Sequence, residues 1–174
     1  DLYPSMDGQY GQEFTYSMWL YLEDSNFTGS RGSNMKHIMH KGNAYGNPLQ
    51  APGVWLYPYQ NKIAINMNTF YSVKESCDVG NLPVNKWFNL TIMLIGRHLD
   101  VYINCELKKR VQLKGVPKLN YGDVYITNFD GFDGLISNLR YFNYAFSLLL
   151  FERNVDFVTL LTTGLHFVPL CGGK

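Results

Sequence analysis

The sequence predicts an all-β domain, a sandwich of two antiparallel sheets. Apolar residues alternate with polar ones along segment after segment, and Gly, Pro and Asn punctuate the chain at short intervals. Aromatic residues make up 16%, mostly Tyr and Phe, whose flat rings favour a pleated surface. With 174 residues, 46% of them apolar, the chain fits one domain over 1–174 with a single core.

The first clear strand is Phe14–Leu22. Phe14, Tyr16, Met18, Leu20 and Leu22 share one face, and Thr15, Ser17, Trp19 and Tyr21 the other. A polar loop from Glu23 to Asn34 leads to a short strand, Lys36–Lys41. A loop from Gly42 to Gly53, carrying Pro48 and Pro52, precedes a hairpin in which Val54–Tyr57 returns as Lys62–Asn68. Val84–Leu113 reads as a three-stranded meander with turns at Gly96-Arg97-His98 and Asn104-Cys105. Asn suits the left-handed backbone of the second turn, and Cys is less comfortable there than Gly. Asp123–Thr127 and Leu135–Phe142 are two further strands, joined by the Asn128–Gly134 loop. Alternation fails after Ser147. Leu148, Leu149, Phe151, Val155, Val158 and Leu161 fall on one face of a short C-terminal helix, with Ser147 as N-cap, and Leu165–Leu170 is a candidate final strand. No linker, repeat or low-complexity tract marks a second domain.

Composition excludes several functions. Fifteen Lys and Arg balance 14 acidic residues, which denies a nucleic-acid binder its concentrated positive footprint. No stretch approaches the about 20 apolar residues a membrane-spanning helix needs. The chain starts at Asp1 without Met or signal peptide, as expected of a processed or trimmed segment. Cys77, Cys105 and Cys171 lack zinc spacing. They allow one disulfide and a free thiol, or three buried thiols. Cys77 and Cys105 are the expected pair if a bridge forms.

Several runs, taken in order, resemble one family. They are Phe14-Thr15-Tyr16-Ser17-Met18-Trp19-Leu20-Tyr21, His37-Ile38-Met39-His40-Lys41-Gly42, Gly53-Val54-Trp55-Leu56-Tyr57 and Leu82-Pro83-Val84-Asn85-Lys86-Trp87. Leu99-Asp100-Val101-Tyr102-Ile103-Asn104 and Phe132-Asp133-Gly134-Leu135-Ile136-Ser137-Asn138-Leu139-Arg140-Tyr141, followed by Asn143-Tyr144-Ala145, complete the set. As a set they resemble the concanavalin A-like lectin/laminin G-like jelly-roll domains, most closely the variants encoded by large DNA viruses of algae and protists. The resemblance implies a lectin-like β-sandwich displayed on a virion or cell surface, binding a glycan or glycoprotein. It departs from the family at Cys105, where Gly is usual, and after Ser147, where an acidic polar helix is usual.

Candidate sites follow from the strand faces. With Val54 and Leu56 pointing inward, Trp55, Tyr57, Asn66 and Asn68 point out, and Pro58 stiffens the turn presenting Tyr59. Rings that stack on sugar C–H faces beside amides that fix hydroxyls suit carbohydrate. Trp19 and Trp87 are read instead as covered by loops. Asp130 and Asp133 lie between glycines, where calcium could find oxygen ligands, although an ordinary turn is the preferred reading and no cofactor is expected. Sequons stand at Asn26-Phe27-Thr28, in a loop and expected to be accessible, and at Asn89-Leu90-Thr91, within a strand. His37 and His40, on opposite faces of one strand, are poorly placed to share a metal. No strand carries alternating carboxylates of the kind a glycosidase needs, so no enzyme is expected. The expected function is a non-catalytic carbohydrate- or glycoprotein-binding module. The rival is a capsid-associated assembly subunit that kept the sandwich and lost its sugar.

Overall fold

The computed structural model describes residues 2–28 and 32–146. Eleven strands form: β1 (Met6–Gly8), β2 (Gly11–Leu22), β3 (Lys36–Gly42), β4 (Gln50–Leu56), β5 (Lys62–Met67), β6 (Glu75–Gly80), β7 (Trp87–Ile95), β8 (His98–Ile103), β9 (Glu106–Gln112), β10 (Asp123–Ile126) and β11 (Gly134–Phe142). They make two antiparallel sheets. One runs β1-β2-β7-β8-β9, with β11 following β1 along the same side of β2; the other runs β10-β3-β4-β5-β6. Among the described residues the helical content is a single 3-10 turn, Asp24–Phe27, and no helix is long and apolar enough to cross a membrane. The expected C-terminal helix and the candidate strand Leu165–Leu170 lie outside the described residues.

The alternation read from β2 is the packing observed. Phe14, Tyr16, Met18, Leu20 and Leu22 are buried against Val54, Leu56, Ile63 and Ile65 of the facing sheet, with Phe88, Leu90 and Ile92 of β7 beside them. On the opposite face of the first sheet Thr15, Ser17, Asn89 and Thr91 are polar and also buried. Asn89 Nδ2 donates to Ser17 Oγ (3.0 Å) and to the Met18 carbonyl (3.3 Å), and Thr91 Oγ1 donates to Asn89 Oδ1 (2.8 Å). Trp19 is half-buried, whereas Trp87 is 44% exposed and, among the described aromatic rings, meets the edge of Tyr21, so it is not covered as expected.

Asn104 and Cys105 both take positive φ, 50° and 65°, in the tight β8–β9 turn. The expected Cys77–Cys105 bridge does not form. Cys77 points into the core from β6 as a free thiol, while Cys105 is disulfide-bonded. Cys171 lies outside the described residues. Burial pushes the Cys77 thiol up to about 11, outweighing the pull of Lys109. Native protein should therefore resist alkylation at Cys77, and unfolding without reductant should expose it. Rapid labelling of Cys77 in the native state, read by peptide mass mapping, would contradict this packing.

Candidate ligand site

The outer face of the second sheet, where a sugar platform was expected, is built differently. β3 pairs His37 with Trp55 and Met39 with Val54, so Ile38 is the extra residue of a bulge. Ile38 and Met39 both enter the core, which throws His37 and His40 onto the same outer face instead of opposite ones. Their rings meet with His37 Nε2 2.7 Å from His40 Nδ1. His40 Nε2 lies 2.9 Å from the Asn43 carbonyl and must donate to it. In the neutral pair that leaves His40 Nδ1 as acceptor and His37 Nε2–H as donor.

An aromatic shell closes over the pair. The Trp55 ring meets His37 at 4.6 Å between centroids, Phe129 stacks on Trp55 at 5.7 Å, and Tyr125 stacks on His40 at 4.9 Å. Both histidines are completely buried. Burial first, then the neighbouring His40, lowers the pKa of His37 to about 4, against the opposing pull of the Asn128 backbone.

Trp55 is therefore a structural ring. Its Nε1 donates to Gln50 Oε1 (2.8 Å), and Asn66 Nδ2 approaches the same oxygen at 3.4 Å. Asn66 and Asn68 are buried too. Asn68 Nδ2 donates to the Pro48 and Val73 carbonyls at 2.6 and 3.0 Å, pinning two loops. Tyr57 turns its hydroxyl to Asp78 Oδ2 (3.1 Å) with Lys62 Nζ over its ring, and of the three expected rings only Tyr59, at 59%, is exposed. The expected Trp55–Tyr57–Tyr59 platform does not assemble, because loop 43–50 and Phe129 cover the face that strand alternation alone leaves open.

Of the remaining candidate residues, Asn26 lacks the accessibility expected of it. Asp133 accepts Ser25 Oγ–H at 3.0 Å, and its backbone exchanges hydrogen bonds with the Asn26 amide (2.8 and 2.5 Å), so it clasps loop 23–28. Asp130 sits at φ 67° in an exposed turn. No group of three or more His, Cys, Asp or Glu among the described residues is arranged to hold a metal. Asn26 and Asn89, the sequon residues, are buried with their amide nitrogens donating inside the protein, which withdraws them from glycosylation in the folded state.

The better candidate is a cavity of about 500 Å³ at one open side of the sandwich. Phe14, Tyr16 and Tyr141, from β2 and β11, form one wall; Lys41 and Val124, from β3 and β10, form the other. Tyr3 (81% exposed) and Tyr121 (77%) also line it and stand out at the surface. Tyr16 is 1% exposed, wedged between Phe14 (5.4 Å) and Tyr141 (4.9 Å), and its hydroxyl has no hydrogen-bond partner among the described residues. Burial, reinforced by Tyr141, pushes this phenol far above its ordinary range, so it stays neutral and able to donate. Gln12 donates from Nε2 to Ser5 Oγ (2.8 Å), and its buried Oε1 has no hydrogen-bond partner among the described residues. Lys41 Nζ donates to the carbonyls of Asn120 (2.8 Å) and Gly122 (2.5 Å), tying the loop before β10 to this wall.

An unmet buried hydroxyl or amide costs about 1–3 kcal/mol. A cavity holding two of them is finished only by a guest that hydrogen-bonds, whether water or a ligand hydroxyl. Sequence reasoning placed Tyr16 in the core and passed over Gln12. The available signal was parity: Gln12 continues the inward-facing series of Phe14 and Tyr16, and a polar residue there needs a partner.

The sequence pattern of the Concanavalin A-like lectin/glucanases superfamily matches residues 4–148. The chain belongs to that superfamily. Solved structures similar to this lectin-superfamily domain include the receptor-binding domain of botulinum neurotoxin D, at TM-score 0.61 and 16% identity over 87% of this chain and 38% of that one. The botulinum neurotoxin C/D mosaic receptor-binding domain gives 0.57 and 18%, over 80% and 36%. A serotype D ligand binding domain in complex with N-acetylneuraminic acid gives 0.59 and 16%, over 86% and 37%. The chain thus spans little more than a third of these domains, and the likeness concerns the fold. No curated protein matches the sequence.

Proposed function

We propose that this domain is a non-catalytic carbohydrate-binding module that takes the end of a glycan into the inter-sheet cavity. The observation that carries the reading is the pairing of unmet polar atoms, Tyr16 Oη and Gln12 Oε1, with apolar and aromatic walls and protruding Tyr3 and Tyr121. Sugars need this combination, rings for C–H faces and fixed polar groups for hydroxyls. The superfamily contains lectins by its own description, and a similar toxin domain carries a bound N-acetylneuraminic acid. The virion or cell-surface setting belongs to the same proposal and rests on the sequence resemblance.

A glycan array followed by calorimetry on its best ligand tests this. Tyr16→Phe removes one hydroxyl from a packed ring and should weaken binding about tenfold with little change in Tm. Gln12→Leu should act similarly. An array without hits, or a ligand bound equally well by both variants, would overturn the assignment.

A further inference from the structure

A second surface is formed by residues other than those lining the cavity. Two connections meet where Thr69 bridges Pro117: the β5–β6 loop and the segment after β9. Phe70 N donates to the Val116 carbonyl (2.9 Å), and Lys118 N to the Asn68 carbonyl (3.0 Å). A Cβ on Gly115 would lie 2.6 Å from Thr69 Oγ1 and from the Tyr71 backbone nitrogen, so the two loops press together as one rigid tip.

That tip exposes apolar side chains to solvent. Phe70 is 77% and Tyr71 66% exposed, and Val73, Val116 and Leu119 are exposed beside them. Lysines surround the rings: Lys114 Nζ lies 5.4 Å from the Tyr71 centroid, Lys118 Nζ 5.4 Å from that of Phe70, and Lys74 is exposed next to Val73. The adjoining carboxylate, Glu75, is engaged within the tip. It accepts Thr69 Oγ1–H (2.5 Å) and the backbone N–H groups of Lys114 (2.7 Å) and Gly115 (2.9 Å). Its charge organises the loops and is met in part by the Lys114 ammonium, while Lys74 and Lys114 are exposed and Lys118 is half-buried beside Phe70.

Exposed rings collared by lysines match the chemistry of an anionic bilayer surface: apolar groups enter the headgroup–acyl boundary and ammonium groups meet phosphates. We infer that the Phe70–Tyr71 tip is a membrane-docking element that inserts its rings into anionic phospholipid surfaces. The charge collar selects this occupant over a neutral protein face, because lysine ammonium groups would otherwise be stripped of water without counter-charge. None of these tip side chains lines the sugar cavity, although Leu119 adjoins Asn120, which does.

Vesicle flotation tests it, with phosphatidylcholine vesicles set against vesicles of phosphatidylcholine and phosphatidylserine. The protein should float with the anionic vesicles only, and added salt should release it. Lys74→Glu with Lys114→Glu and Lys118→Glu should weaken binding about a hundredfold, the scale of three lysine contacts. Phe70→Ser with Tyr71→Ser should also release the protein at unchanged Tm, and Tyr16→Phe should leave flotation intact. Free phosphoserine should compete poorly. Failure to float with anionic vesicles overturns the inference, as does equal flotation of both surface variants. Tight phosphoserine binding would make the tip a headgroup pocket, and loss of self-association or glycan binding in the variants without any vesicle binding would give it another partner.

Discussion

Replacing Trp55 with Ala should destabilise the domain by about 3 kcal/mol, toward the low end for a large aromatic because the ring is half-buried. The ring packs on His37 and Phe129, and Gln50 Oε1 accepts its Nε1–H, so truncation opens the shell above the histidine pair and loosens loop 43–50 together. Urea unfolding should show a lower midpoint with an unchanged slope. Below the transition, glycan affinity should match that of the parent. An unchanged midpoint would mean that Trp55 is the exposed platform its strand position implies, and a lost affinity would move the sugar site onto it.

Acid should unfold the domain through the same cluster. His37 titrates near 6.5 in the unfolded chain and at about 4 in the folded one, its burial and the adjacent His40 disfavouring the charge. As pH falls below 6.5 the unfolded chain binds the proton first, so stability drops. The loss grows by about 1.4 kcal/mol per unit until the folded state also protonates near 4, about 3 kcal/mol in all. Above 6.5 this contribution is fully present. Denaturant midpoints measured between those limits should decline steeply, and His37→Asn should flatten the decline. An unaltered slope in that variant would remove His37 from the account.

What the sequence made legible divides along physical lines. Strict alternation in β2, β7 and β8 specified the core face of the first sheet, because a strand with one face buried admits one register. β6 escaped notice, since Glu75–Gly80 offers only Cys77 and Val79 as an inward pair. The histidine cluster was misread for a related reason. Alternation assigns His37 and His40 to opposite faces, and only the adjacent apolar residues Ile38 and Met39 betray the bulge that brings them together. The platform at Trp55, Tyr57 and Tyr59 failed because strand parity says which way a side chain points and nothing about the loop that returns over it. Asn26 and Asp133, far apart in sequence, became a buried clasp by contact between loops, which no local pattern encodes.

The cavity was missed because its halves come from β2, β3, β10 and β11, and it exists only once both sheets close. Its claim to be the sugar site is open to a direct measurement: two-dimensional amide and side-chain NMR during titration with the best array glycan. The account predicts perturbations concentrated at Gln12, Tyr16, Lys41 and Tyr141 and in the Asn120–Val124 segment, with Trp55 and Phe129 silent. Perturbations gathered around Trp55, Phe129 and Tyr59 instead, with the cavity unmoved, would contradict it.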